Sequence, residues 1–193
     1  MTPKDLIDAA IQPLAQLLRN EGFRRSGRRF HRDIGESRVF LEVQASQWNR
    51  EAKASFTINL AAFTPEVARK LGKAVGAPPK SERGCTWLER IGFTTPSRLD
   101  TWWNVYDQSS VAQVSEEVVQ VVRTYALPWL EAAATRDGLR SVLKVTGGVP
   151  AADLLWALGH HEDAIACIHL TPQDTSGRVR AVSEWLKNHA NAA

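Results

Sequence analysis

Between residues 29 and 59, basic, amide and hydroxyl side chains recur at every second position. Arg29 and His31 flank Phe30; Glu42, Gln44, Ser46 and Trp48 alternate with Leu41, Val43 and Ala45; Ser55, Thr57 and Asn59 alternate with Phe56, Ile58 and Leu60. A period of two sends neighbours to opposite faces of a pleated strand. One face therefore collects guanidinium, imidazole, amide and indole groups, and the other is almost wholly aliphatic. Amides supply paired donors and acceptors, and an indole supplies rigid area with one N–H. That chemistry is recognition. The expected binding set is Arg29, His31, Gln44, Trp48, Thr57 and Asn59. Arg90 joins it, and Trp102 and Asn104 follow if Val105 points inward. The bland alternative is a solvated sheet face, or one covered by the C-terminal helices, since antiparallel sheets commonly keep a wet side.

Reaction chemistry is harder to assemble from these residues. Glu42 is the lone carboxylate on the polar face, and one carboxylate makes no acid–base pair. Cys85 sits beside Arg83 and Gly84 and could meet His31 in space as a base, yet a small buried residue is the plainer reading. His160, His161, Asp163, Cys167 and His169 are of zinc-ligating types. They lack CxxC or HExxH spacing, and His160-His161 open a helix, where exposed histidines are expected. No phosphate loop, dinucleotide fingerprint or nucleophile elbow is present. The sequence assigns no catalytic residue, no metal and no cofactor.

Positioning that polar face requires a sheet, and the periodicity supplies one. Thr2-Pro3 opens a helix with Leu6, Ile7, Ala10, Ile11, Leu14, Leu17 and Leu18 at helical spacing, kinked by Pro13 and ended by Gly22. Strands are expected at Arg28–Arg32, Arg38–Trp48 and Ala54–Phe63, joined by turns too short for parallel crossovers. A short helix follows Thr64-Pro65. Cys85–Ile91 and Thr101–Tyr106 are further strand candidates in a Gly-, Pro- and Ser-rich stretch. A helix capped by Ser110 with Gln113 carries an apolar stripe, and Pro128 should break or kink it. Helices near 138–145, 151–158, 161–169 and 177–189 complete the chain. Residues 154–168 read as one tetratricopeptide-like hairpin used for packing; a solenoid needs about three repeats.

Strands early and helices late give an α+β class. The expected architecture is an antiparallel sheet of four to five strands, packed by an N-terminal helix and a C-terminal group of helices. Residues 1–193 form one expected domain, sheet-bearing over 1–107 and helical over 108–193. With 44% hydrophobic and 23% charged residues, the 193-residue chain is globular and large enough for one core. It shows no membrane span and no signal peptide, and its two cysteines suit a reduced cytoplasm. The net charge of +3 is uneven: residues 1–100 hold 17 basic against 11 acidic residues. Arg19, Arg24, Arg25, Arg28, Arg29 and Arg32 concentrate it, as a nucleic-acid patch or as a charged sheet edge that resists edge-to-edge pairing.

Several ordered segments resemble a known family. Gly22-Phe23, Gly27, Phe30, Gln44, Ser46 and Phe56-Thr57-Ile58-Asn59-Leu60 are similar to its first signature. Arg90-Ile91-Gly92 with Asp100 and Trp102-Trp103 looks like its second, and Leu127-Pro128-Trp129 like its later helix break. The chain thus resembles, over about residues 5–145, the bacterial domain-of-unknown-function 4304 family. Phe93 stands where the pattern implies an aliphatic residue. The resemblance carries no activity and no site residues. The functional expectation is a non-catalytic protein-interaction module of immunity or adaptor type, with a protein partner. Nucleic-acid binding through the arginine cluster, and small-ligand binding or catalysis on the polar face, are the alternatives. The sequence assigns no oligomeric state.

Overall fold

A computed structural model describes residues 1–50, 53–170 and 176–189. Helix α1 (Pro3–Ala10) is capped by Thr2, whose hydroxyl accepts the Asp5 N–H while the Asp5 carboxylate accepts the Thr2 N–H. The chain leaves helical geometry at Ile11, and α2 (Gln12–Asn20) restarts with Pro13 in its first turn, where a missing N–H costs nothing. Gly22 then takes φ +81°, and the Phe23 N–H bonds back to the Leu18 carbonyl.

Among the described residues six antiparallel strands form one sheet: β1 (Arg24–Ser26), β2 (Arg29–Ile34), β3 (Ser37–Ala45), β4 (Ala54–Phe63), β5 (Trp87–Arg90) and β6 (Trp103–Val105). They run β1-β2-β3-β4-β5 in space, and β6 pairs with the opposite end of β4, so two short strands share its outer edge. β1 is the strand the sequence hid. It has three residues, all polar and exposed, so no hydrophobic period marks it. β3 stops at Ala45, earlier than expected, because the chain turns at Ser46; Trp48 therefore lies in the connection to β4.

The register confirms the inner face. Phe30 sits opposite Leu41, Leu41 opposite Leu60, and Val43 opposite Ile58. All these residues are buried. α1, α2 and the long helix after residue 107 cover them. That helix comprises α4 (Gln108–Val121), a π-helical turn (Val122–Ala126) and α5 (Leu127–Ala133). Its cap is Asp107 with Ser110, one turn earlier than the expected Ser110–Gln113 pair. Pro128 does not break it. The wider π turn just before Pro128 absorbs the residue that cannot donate to the preceding turn, and the backbone stays right-handed helical through both junctions.

Cover on the outer face does not come from the C-terminal helices, the source the bland alternative named. Helix α3 (Pro65–Lys70) and the segment up to a 3-10 turn at Glu82–Gly84 fold back over one end of the sheet. There Phe40, Ala61, Phe63, Ala68 and Cys85 form a second, small apolar cluster. The C-terminal helices stay away from this face. α6 (Arg136–Thr146), α7 (Val149–Ala157), α8 (His161–His169) and α9 (Ser176–His189) extend the main core instead. The α7–α8 hairpin turns on Gly159 at φ +83°. α9 docks through Trp185, which meets Trp156 edge-on and donates its indole N–H to Asp153 at 2.7 Å. No helix among the described residues is long and apolar enough to cross a membrane.

Candidate functional site

The outer face is divided in two. Its capped half contains Phe40 and Phe63, and the remainder stays open. Register builds that open half as rungs. Arg29, Glu42, Asn59 and Arg90 lie directly abreast on β2, β3, β4 and β5. Gln44 and Thr57 form the next rung, and Ser55 with Asn104 the last. Side chains on the same face of paired strands lie about 5 Å apart, so hydrogen bonds link them across the strands. Asn59 donates its amide to Gln44 at 2.8 Å, and the Ser55 hydroxyl donates to Asn104 at 2.6 Å.

Charges at both sides of this patch are paired. The Arg29 guanidinium reaches Glu42 and Glu82 at 3.0 Å each. Arg90 grips Asp100 at 3.0 and 3.2 Å, lies 5.4 Å above the Trp102 ring, and Trp102 in turn donates its indole N–H to Asp100 at 3.0 Å. Two acceptors in these pairs, Glu82 in the short 3-10 turn and Asp100 in the loop before β6, lie where no periodicity could have placed them. The one advance signal for Asp100 is its position two residues before Trp102.

The expected set is only partly brought together. Arg29, Gln44, Asn59, Arg90, Trp102 and Asn104 share the open half. Thr57 points to the same side, as parity requires, but is fully buried; its hydroxyl donates to the Thr101 carbonyl at 2.7 Å and pins the loop before β6. Thr57 is thus a structural tie rather than an exposed contact. His31 lies at the margin of the cap, with its ring centroid 6.0 Å from that of Phe40. Burial and then the nearby Arg38 hold its pKa below the ordinary value. Trp48 is 75% exposed and lies in the β3–β4 connection, where strand parity no longer sets its side.

The arginine cluster is largely consumed by internal contacts. Arg28 pairs with Asp8 at 2.8 Å and donates to the Lys4 carbonyl. Arg29 is held as above. Arg32 pairs with Glu131, donates to the Glu21 carbonyl and lies over the Phe23 ring. Arg25 donates to Gly27 in its own turn. Two of the residues of zinc-ligating type are likewise committed. Asp163 binds Arg140 and Lys144, and the Cys167 thiol points at the Leu143 carbonyl. Among the described residues no group of three such side chains is arranged to hold a metal. Burial, with Glu82 nearby, pushes the Cys85 thiol up to about 12, which makes it a poor nucleophile.

Concavities among the described residues lie away from this patch. A cleft of about 770 Å³ at the β2–β3 turn is lined by Asp33, Glu36, Arg38 and Arg69, which are joined in two ion pairs. A crevice of about 320 Å³ lies between residues 93–98, the π turn and the end of α6.

The model of one protein family, described as a domain of unknown function, DUF4304, matches residues 14–132. That span holds every residue of the open patch. No curated protein and no solved structure matches the chain.

Proposed function

The chain belongs to the DUF4304 family, a domain of unknown function, and from that premise we propose that it is a non-catalytic protein-interaction module using the open half of the outer sheet face. One observation carries the reading: a mixed-charge patch has Arg90 on Trp102 at one side, and exposed Trp48 lies in the connection that follows β3. Trp and Arg are the side chains most enriched among energetically dominant interface contacts. The partner is a folded protein surface of mixed charge. Glu42, Glu82 and Asp100 are interleaved with Arg29 and Arg90 as ion pairs, so the patch offers no single sign of charge to a phosphate backbone and suits a partner that carries both signs. Nucleic-acid binding loses support for the same reason and because Arg28, Arg29 and Arg32 already face carboxylates. Catalysis loses support because Glu42 is held by Arg29 and the Cys85 thiol is buried.

In its finer form the module is an immunity-type or adaptor protein of the bacterial cytoplasm that binds a toxin or effector. Two buried free thiols suit such a compartment.

Photo-crosslinking in the native host tests the proposal. A benzophenone side chain at exposed Gln44 should capture one defined protein, and the same group at exposed Gln120 on α4 should not. Arg90→Asp should abolish the Gln44 adduct. Equal capture from both positions, or an adduct indifferent to Arg90→Asp, would remove this face as the contact surface.

A further inference from the structure

The crevice between the 93–98 segment and the long helix joins two unusual stretches of backbone. On one wall the helix widens into the π turn at Val122–Ala126, which carries Tyr125. Such turns recur at functional sites. On the other wall Arg98 adopts φ +51°, the one non-glycine residue with positive φ among those described. Its guanidinium donates to the Val145 and Thr146 carbonyls at the end of α6. This contact fastens the loop to the end of α6.

The lining has a definite chemistry. Phe93, Tyr125 and Trp129 present three rings, with Phe93 40% exposed and Trp129 nearly buried. The polar groups are hydroxyls. Thr94 donates to the Ile91 carbonyl, Thr95 to Gly92 and Thr146 to Val142. With their protons used internally, these oxygens offer the crevice lone pairs only. The Tyr125 hydroxyl has no hydrogen-bond partner among the described residues, so it can donate or accept. The single cation, Arg98, is already engaged with two carbonyls at the negative end of a helix, and so is a weak receptor for an anion.

We infer that this crevice is a binding site for a small, neutral, flat aromatic molecule bearing an N–H or O–H donor. Rings on both walls bury a planar face, and hydroxyl oxygens satisfy the donor. At about 320 Å³ the volume suits one or two fused rings. This site is separate from the outer sheet face and does not depend on the protein-interaction reading.

Indole is the probe, with benzoate as the charged comparison, in titrations of the whole protein followed by amide chemical shifts. Indole should give saturable shifts confined to residues near 93–98, 122–129 and 145–146. Tyr125→Phe removes one hydrogen-bonding group and should weaken indole by about fivefold. Val145→Trp, at a position 65% exposed, fills the mouth without touching the core and should abolish the shifts. Benzoate should fail to saturate. Absence of saturation with indole, shifts that survive Val145→Trp in a folded variant, or benzoate binding as well as indole would each overturn the assignment.

Discussion

β3 and β4 show opposite designs on their two faces. Inward, Val39, Leu41, Val43, Ile58 and Leu60 are sealed against helices and carry no polar atom. Outward, the same ten or so residues of backbone present Glu42, Gln44 and Asn59, each bonded to a neighbour and each still reached by solvent. Apolar burial contributes about 25 cal/mol per Å², whereas half-exposed ion pairs contribute about 0–1 kcal/mol. The inner face therefore carries the fold. The outer face is ordered by its own hydrogen bonds but adds little stability, which leaves its composition free to serve a partner.

The contrast yields graded predictions. Leu60→Ala opens a cavity on the inner face and should cost about 2–5 kcal/mol of unfolding free energy, read from urea denaturation. Thr57→Val is the informative intermediate. Its side chain points outward but is buried, and it would leave the Thr101 carbonyl unpaired, a loss of about 1–3 kcal/mol. Should Thr57→Val prove neutral, the Thr57–Thr101 bond is no structural tie. Arg90→Gln and Gln44→Ala should change stability by less than about 1 kcal/mol, while removing or weakening partner capture.

Two further outcomes sharpen the boundary at the cap. His31 has a depressed pKa in the folded state, so the unfolded chain binds the proton more readily. Its contribution to stability is complete above the ordinary pKa of 6.5 and is lost as pH falls below it. His160 shifts in the same direction. His31→Asn should therefore reduce, without abolishing, the decline in unfolding free energy between about pH 7.5 and about pH 5.5. Cys85 and Cys167 are both buried with raised pKa values, so a thiol-titrating reagent should label neither in native protein and both in denaturant.

Strand parity made the inner face legible from the sequence, because apolar residues at every second position of β3 and β4, with Phe30 on β2, leave one choice of side. The same parity set Arg29, Glu42 and Asn59 on one rung. It did not reveal that residues 64–86 cap half of the outer face. That segment is mostly irregular and buries itself with isolated residues, Ala68 and Cys85, which have no period. β1 escaped for a related reason: three exposed polar residues carry no pattern. Pro128 misled because its effect depends on the helix around it, and a π turn one step earlier removes the conflict.

The central claim is that the open half of the outer face serves contact rather than stability. One paired measurement on the Arg90→Asp variant tests it: unfolding free energy, and capture of the partner by a benzophenone at Gln44. The account predicts a stability change below about 1 kcal/mol together with loss of the adduct. Retention of the adduct in a variant of unchanged stability would contradict it.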